Sequence, residues 1–342
     1  MKKVKANFSL LTIVISIFVI LFISSAVVIR QVYQSNLQAV STEKKAVSVT
    51  VTPGSTVAEI GQNLHDKGAI KSDWAFEWYV RNNNLIDELK AGTYIVYTNQ
   101  DVPTIARAIA EGKVATDLFT ILPGKRIDEI RSAMIKAGFA ESEVDEALKP
   151  ANYKGHEALA DLPEGSNLEG YLYPESYQKT AETKPKTIVK SALDELARQL
   201  TKERRQEFAK RGLTTHQAII VASMVEREVS NKNDKPQVAQ VFLKRLKDGM
   251  NLGSDVTAFY GAVVAGQTPT VVYDSPYNTR IHGGLPVGPI SNVGESSLEA
   301  VAYPASTDWV YFVAGDDGKT YFSKTNEEHE ALTEQHCKQL CQ

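Results

Sequence analysis

The strongest hydrophobic feature of the chain lies at its start. Residues 6–29 carry no charge, and residues 10–23 are Leu, Ile, Val and Phe broken only by single Thr and Ser. About 20 apolar residues at a helical rise span a bilayer core, and a run with no polar face is not a surface helix. The pattern predicts a short tail over 1–8 and a transmembrane helix over 9–29. The polar, aperiodic stretch 30–45 then reads as a tether. Small residues at Ser24 and Ala26 admit a cleaved leader, but an apolar leader core is only about 7–15 residues long, so an uncleaved anchor is expected.

Beyond residue 45 the pattern alternates between strand and helix periods. Val51-Thr52-Pro53-Gly54, followed by Val57, Ile60, Leu64 and Gly68, is echoed by Ile121-Leu122-Pro123-Gly124, followed by Ile127, Ile130, Met134 and Gly138. Each copy reads as a short β run, a Pro-Gly turn and a helix closed by Gly; two copies are too few for a solenoid. Between them come a helix near residues 74–82, a strand over 92–97 and a helix over 102–111. The β-α-α-β order resembles a LysM module, which holds N-acetylglucosamine polymers; a plain spacer domain has the same periodicity. A LysM-like domain is thus expected over 46–117, and a second domain over 118–342.

In the second domain, residues 163–177 are turn-rich and aromatic, a composition that fits either a sugar cleft or a packed turn. One long helix is expected over 185–210. The run 214–229 follows, capped by Thr214 or Thr215 and apolar nearly all round, so it must be buried. Two carboxylates close it. At 100° per residue Glu226 and Glu228 point about 200° apart and cannot face one another in a cleft. Glu228 continues the stripe of Val221, Met224 and Val225. A carboxyl held on apolar surface has its pKa raised and can act as a general acid, so Glu228 is the candidate acid, although a helix-terminal Glu can equally reach solvent. Glu226 continues Ile219, Ala222 and Ser223, where a cation or a backbone group can pair with it. An amphipathic helix from Asp234 to Gly249 comes next. Asp255 and Thr257 read as part of a loop that shapes the cleft, and Asp317-Gly318 joins a hairpin.

Charge adds a direction. The first 45 residues hold six of the 38 basic groups and one of the 41 acids, so the remainder is acidic. Nucleic acid is therefore not an expected partner. Lys2, Lys3 and Lys5 precede the apolar run and Arg30 alone follows it, which places the N-terminus in the cytoplasm and the body outside. The composition is that of an ordinary folded protein. Cys337 and Cys341 sit at helical i, i+4 spacing, poor geometry for a bridge, so no disulfide is expected. With His329 and His336 they match no common zinc pattern. No metal and no cofactor is expected, and the last helix is read as solvated.

Read in order, the chain resembles the MltG (YceG-like) family of endolytic murein transglycosylases. The resemblance rests on Ala222-Ser223-Met224-Val225-Glu226-Arg227-Glu228, Lys244-Arg245-Leu246 with Gly249-Met250, and Ser254-Asp255-Val256-Thr257 with Tyr260-Gly261. Tyr277-Asn278-Thr279 and Gly284-Leu285-Pro286 complete it. It implies an α+β protein with a one-pass anchor, a LysM-like domain and a lysozyme-like catalytic domain. It also implies Glu228 as the catalytic residue, with Glu226, Asp255, Thr257, Tyr260, Tyr277, Asn278, Thr279 and Leu285 contacting substrate. Two positions depart from the family pattern. Val287 stands where Pro is common, and Arg280 replaces an aromatic that would stack on a sugar. The implied substrate is the glycan strand of peptidoglycan, at the outer face of the cytoplasmic membrane. The implied partners are the penicillin-binding peptidoglycan synthases and the elongation or division machinery.

A lytic transglycosylase works with one carboxylate, whereas most glycosidases need two. The chain has no Gly-x-Ser-x-Gly, His-Glu-x-x-His or complete phosphate loop. Two other readings stay open at this point: a membrane-anchored peptidoglycan-binding scaffold without activity, and a hydrolytic muramidase with Asp255 as second carboxylate.

Overall fold

The apolar run folds as α1 (Lys2–Leu37). A computed structural model of the chain describes residues 2–113, 118–179 and 183–339, and within α1 the stretch Ile15–Leu37 is long and apolar enough to cross a membrane, its most apolar 18 residues having a mean hydropathy of 2.2. The helix outlasts the expected anchor by two turns. Tyr33 and Leu37, four residues apart, form a short apolar stripe that packs on the first domain core, Leu37 being buried. Much of the expected tether over 30–45 is therefore helix.

The chain divides into two units, Met1–Asp117 and Leu118–Gln342. In the first, β1 (Ala46–Val51) pairs antiparallel with β2 (Gly92–Tyr97). Between them lie α2 (Val57–Asp66) and α3 (Asp73–Asn82), and α4 (Val102–Glu111) follows. Val47, Val49 and Val51 alternate into the core as a half-buried strand requires. The Thr56 hydroxyl caps α2, while the Glu59 carboxylate accepts from Thr56 N–H at 2.7 Å. Asp101 caps α4 by accepting from Thr104 N–H at 2.9 Å, and left-handed Gly112 ends it.

The second unit opens with β3 (Leu118–Thr120), then α5 (Ile127–Lys136) and α6 (Glu141–Ala147). Its Pro-Gly turn repeats the first, with Glu129 accepting from Arg126 N–H at 3.0 Å. The aromatic segment is a packed turn and not a sugar platform. Tyr171, Tyr173 and Tyr177 are all buried, and β4 (Ser176–Gln178) pairs with β3. The single helix expected over 185–210 is two, α7 (Pro185–Gln199) and α8 (Lys202–Lys210). The chain breaks where Leu200 turns inward and Thr201 caps the second helix by accepting from Arg204 N–H.

The central helix is α9 (Thr215–Glu228), with Thr214 as its cap and every residue from Thr215 to Val225 buried except Gln217. Packed against it are α8, α10 (Lys235–Lys247), α11 (Asp255–Val264) and α12 (Glu295–Ala302). Residues 255–257 are thus the first turn of a helix and not a loop. The apolar content of α11 hid its period, and its close approach to the Ser275 loop depends on Gly261, where a Cβ would collide with the Ser275 side chain. The hairpin β5 (Tyr311–Ala314) and β6 (Thr320–Ser323) packs against α13 (Asn326–His336). No α13 residue is fully buried, although His329 and His336 stack on Tyr311 and Tyr321. The helix ends before Cys337. Cys337 is disulfide-bonded, against the expectation of no bridge, because the helical spacing assumed for it does not extend that far. The one other cysteine, Cys341, lies outside the described residues.

Candidate active site

The two carboxylates at the end of α9 have opposite environments. Glu226 is enclosed by a fixed set of donors: Lys235 Nζ at 3.1 Å, Ser297 Oγ at 2.6 Å and Gly294 N–H at 3.1 Å. Its side chain and that of Lys235 are both nearly buried. This charge ties the end of α9 to the starts of α10 and α12, and Glu226 is not among the residues that line the pocket Glu228 faces.

Glu228 faces a pocket of ≈ 300 Å³ lined by Ser254, Asp255, Arg280, Arg245, Phe312 and His329, among others. Ser254 Oγ donates a hydrogen bond to its Oε1 at 2.6 Å. Loss of water around the carboxyl raises its pKa to about 7. The Ser254 bond pulls the other way, and the nearby Asp255 charge adds to the rise. At neutral pH Glu228 is therefore both a usable acid and, once deprotonated, a usable base.

Behind Ser254 runs a hydrogen-bonded chain. Ser254 N–H donates to Thr279 Oγ1 at 3.1 Å, and the hydroxyls of Thr279 and Thr257 meet at 2.9 Å. Thr257 and Thr279 are buried and hold Ser254 in place. Asn278 is fully buried too, and its amide donates to the carbonyls of Val271 and Tyr273, closing the loop that carries Thr279 and Arg280. Of the eight residues expected to contact substrate, only Asp255 lines the pocket with Glu228. It pairs with Arg280, and both side chains are about half exposed. Tyr260 and Tyr277 pack edge to face at 4.7 Å, and Leu285 is partly buried on the core.

Several groups escaped the sequence reading. Ser254 lies inside a quoted motif but, as a small polar residue before an unrecognised helix, gave no chemical signal. Arg245 donates from Nε to the Val310 carbonyl at 2.7 Å and from Nη1 to the Leu252 carbonyl at 2.8 Å, fastening the hairpin and the Ser254 loop to α10. Glu169 is buried and accepts from Ile127 N–H and from the Tyr260 hydroxyl at 3.0 Å. Desolvation raises its pKa to about 7 despite those bonds.

The model of the YceG-like family matches residues 49–335. The chain belongs to the YceG-like family. Among curated relatives, the endolytic murein transglycosylase of Bacillus subtilis is 29% identical over 312 residues, covering 86% of this chain and 85% of its own. That of Streptococcus pneumoniae serotype 2 is 28% identical over 90% of this chain, which spans only 61% of the streptococcal protein. A crystal structure of a YceG-like protein from Listeria monocytogenes aligns with TM-score 0.55 and 31% identity, covering 85% of this chain and all of that one.

In this YceG-like chain a larger cavity of ≈ 750 Å³ opens elsewhere, among Lys210, Arg211, Lys244 and Lys247. Size does not make it the better candidate. Lys210 and Arg211 are engaged by Glu207, and Lys244 by Asp248, and neither carboxylate at the end of α9 lines it.

Proposed function

We propose that this YceG-like protein is a membrane-anchored lytic transglycosylase that cleaves the bond between N-acetylmuramic acid and N-acetylglucosamine inside peptidoglycan strands, with Glu228 as its one acid–base group. The observation that carries this reading is an enclosed carboxyl near half-protonation at neutral pH, in a pocket whose other carboxylate, Asp255, is taken up by Arg280. The names of the curated relatives point to the same chemistry.

Glu228 gives its proton to the glycosidic oxygen as the bond to the muramyl C1 breaks, and the N-acetylglucosamine end leaves as an alcohol. The carboxylate then takes the proton of the muramyl C6 hydroxyl while that oxygen bonds to C1. The products are a 1,6-anhydro end and a Glu228 protonated as at the start. No water is consumed. A hydroxyl of the same sugar stands in for a second protein nucleophile, and proximity supplies much of the rate.

Anchoring rests on the length and apolarity of α1, and the lysine-rich start argues for a cytoplasmic N-terminus. The first unit, with its β-α-α-β order and antiparallel strands, is read as a LysM-like holder of glycan. The test of the central assignment compares Glu228→Gln and Glu226→Gln on the same peptidoglycan, with thermal melts of both. Glu228→Gln should be folded and inactive, and Glu226→Gln should still cut. A folded Glu228→Gln variant that cuts like the parent contradicts the assignment.

A further inference from the structure

In the first unit three aromatic rings meet where α1 lies against α3. The Tyr33 ring stands edge-on to Trp78 at 4.6 Å and tilted to Trp74 at 6.0 Å, and the two indoles are 6.4 Å apart. Trp74 and Trp78 are one helical turn apart on α3 and remain 44% and 42% exposed, while Ala75, Phe76, Tyr79 and Val80 cover the core from its other face. Aromatic surface of this kind in water marks a contact site.

The register of α1 says what the contact is. Its uncharged run ends at Ile29, Arg30 follows, and Tyr33 comes three residues later, about 4.5 Å further along the axis. A hydrocarbon core of about 30 Å inside a bilayer of about 40–45 Å leaves an interfacial layer of about 5–7 Å on each side. With the core boundary at Arg30, Tyr33 stands within that layer, and the two indoles packed on it share its depth. Indole and phenol rings, apolar in body with one polar tip, concentrate at that depth in membrane proteins. Lys71 adds a cation about 3 Å further out, its Nζ reaching the Ser35 carbonyl at 3.5 Å.

We propose that Tyr33, Trp74 and Trp78 form a membrane-interface seat, which holds α3 against the lipid headgroup layer and so fixes the first unit on the bilayer surface. The proposal rests on the reading that α1 spans the membrane. The occupant is lipid, and the seat is continuous with the spanning helix.

The test uses the full chain reconstituted in vesicles of phosphatidylethanolamine and phosphatidylglycerol. The protein has three Trp, so Trp309→Phe isolates the pair on α3, and Trp74→Phe with Trp78→Phe leaves Trp309 alone. Lipids brominated close to the headgroup should cause a loss of emission in the Trp309→Phe protein and none in the double variant. Should Trp309→Phe fold poorly, the parent's quenching minus that of the double variant reports the same pair. Co-flotation with vesicles but no quenching by brominated lipid, with emission open to aqueous iodide, overturns the seat and leaves the spanning helix standing. Absence of co-flotation overturns both. A response of the pair to soluble glycan strands without a response to brominated lipid shows a sugar platform in place of the seat.

Discussion

At the scale of the residue, the chemistry turns on one carboxyl and one hydroxyl. Glu228 has its pKa raised from 4.5 to about 7, so the folded state binds a proton that the unfolded state has released between those values. The protonated form favours folding fully below about pH 4.5, and that advantage is lost as pH rises through about 7; it amounts to on the order of 3 kcal/mol. Glu228→Gln removes the penalty, so its melting temperature should match the parent's near pH 4.5 and exceed it at pH 8. Parallel melts that never diverge contradict the raised pKa. The acid must start protonated, so the parent's kcat/KM should fall above about pH 7. Ser254→Ala removes a bond that favours the carboxylate, and the falling limb should move upward by about one pH unit. A limb that stays in place or moves down counts against the role given to Ser254.

At the scale of the element, the end of α9 is held from two sides, by the Glu226–Lys235 pair and by the Ser254 chain. Glu226→Gln leaves Lys235 enclosed without its counter-charge, which should cost about 3 kcal/mol of stability while activity persists below the melting range. A calorimetric scan checks this, and an unchanged melt contradicts it. Asp255→Asn, by contrast, breaks a half-exposed pair and should change stability by about 1 kcal/mol or less, lower the rate and leave the product type unchanged. The contrast also explains what was legible in the sequence. Helical period separated Glu226 from Glu228 and identified α9 as buried, because a 3.6-residue repeat is a local property. It did not disclose that Thr257, Asn278 and Thr279 would be buried behind Ser254. That depends on a loop and a helix some 20 residues apart in sequence closing on each other, and no local pattern encodes the contact. The break between α7 and α8 and the helical start at Asp255 were missed for a related reason. Capping by Thr201 and the packing of Leu200 decide the first, and an apolar run with little polar face hid the second.

At the scale of the whole molecule, an apolar N-terminal helix, a small β-α-α-β unit and a helical unit with an enclosed carboxyl fit an enzyme that works on a polymer beside the membrane. If α1 is an uncleaved anchor with its lysines inside, protease added to spheroplasts should degrade the body, and material released from the membrane should not begin after Ala26. Protection of the body reverses the orientation. The central claim is that one carboxyl, with no second protein group and no water, breaks the glycan. Mass analysis of products from purified peptidoglycan tests it most directly. Treated strands should carry 1,6-anhydromuramyl ends, lighter by one water than hydrolytic products, and Glu228→Gln should yield none; reducing muramyl ends from the parent protein, or anhydro ends from the Glu228→Gln variant, would contradict the account.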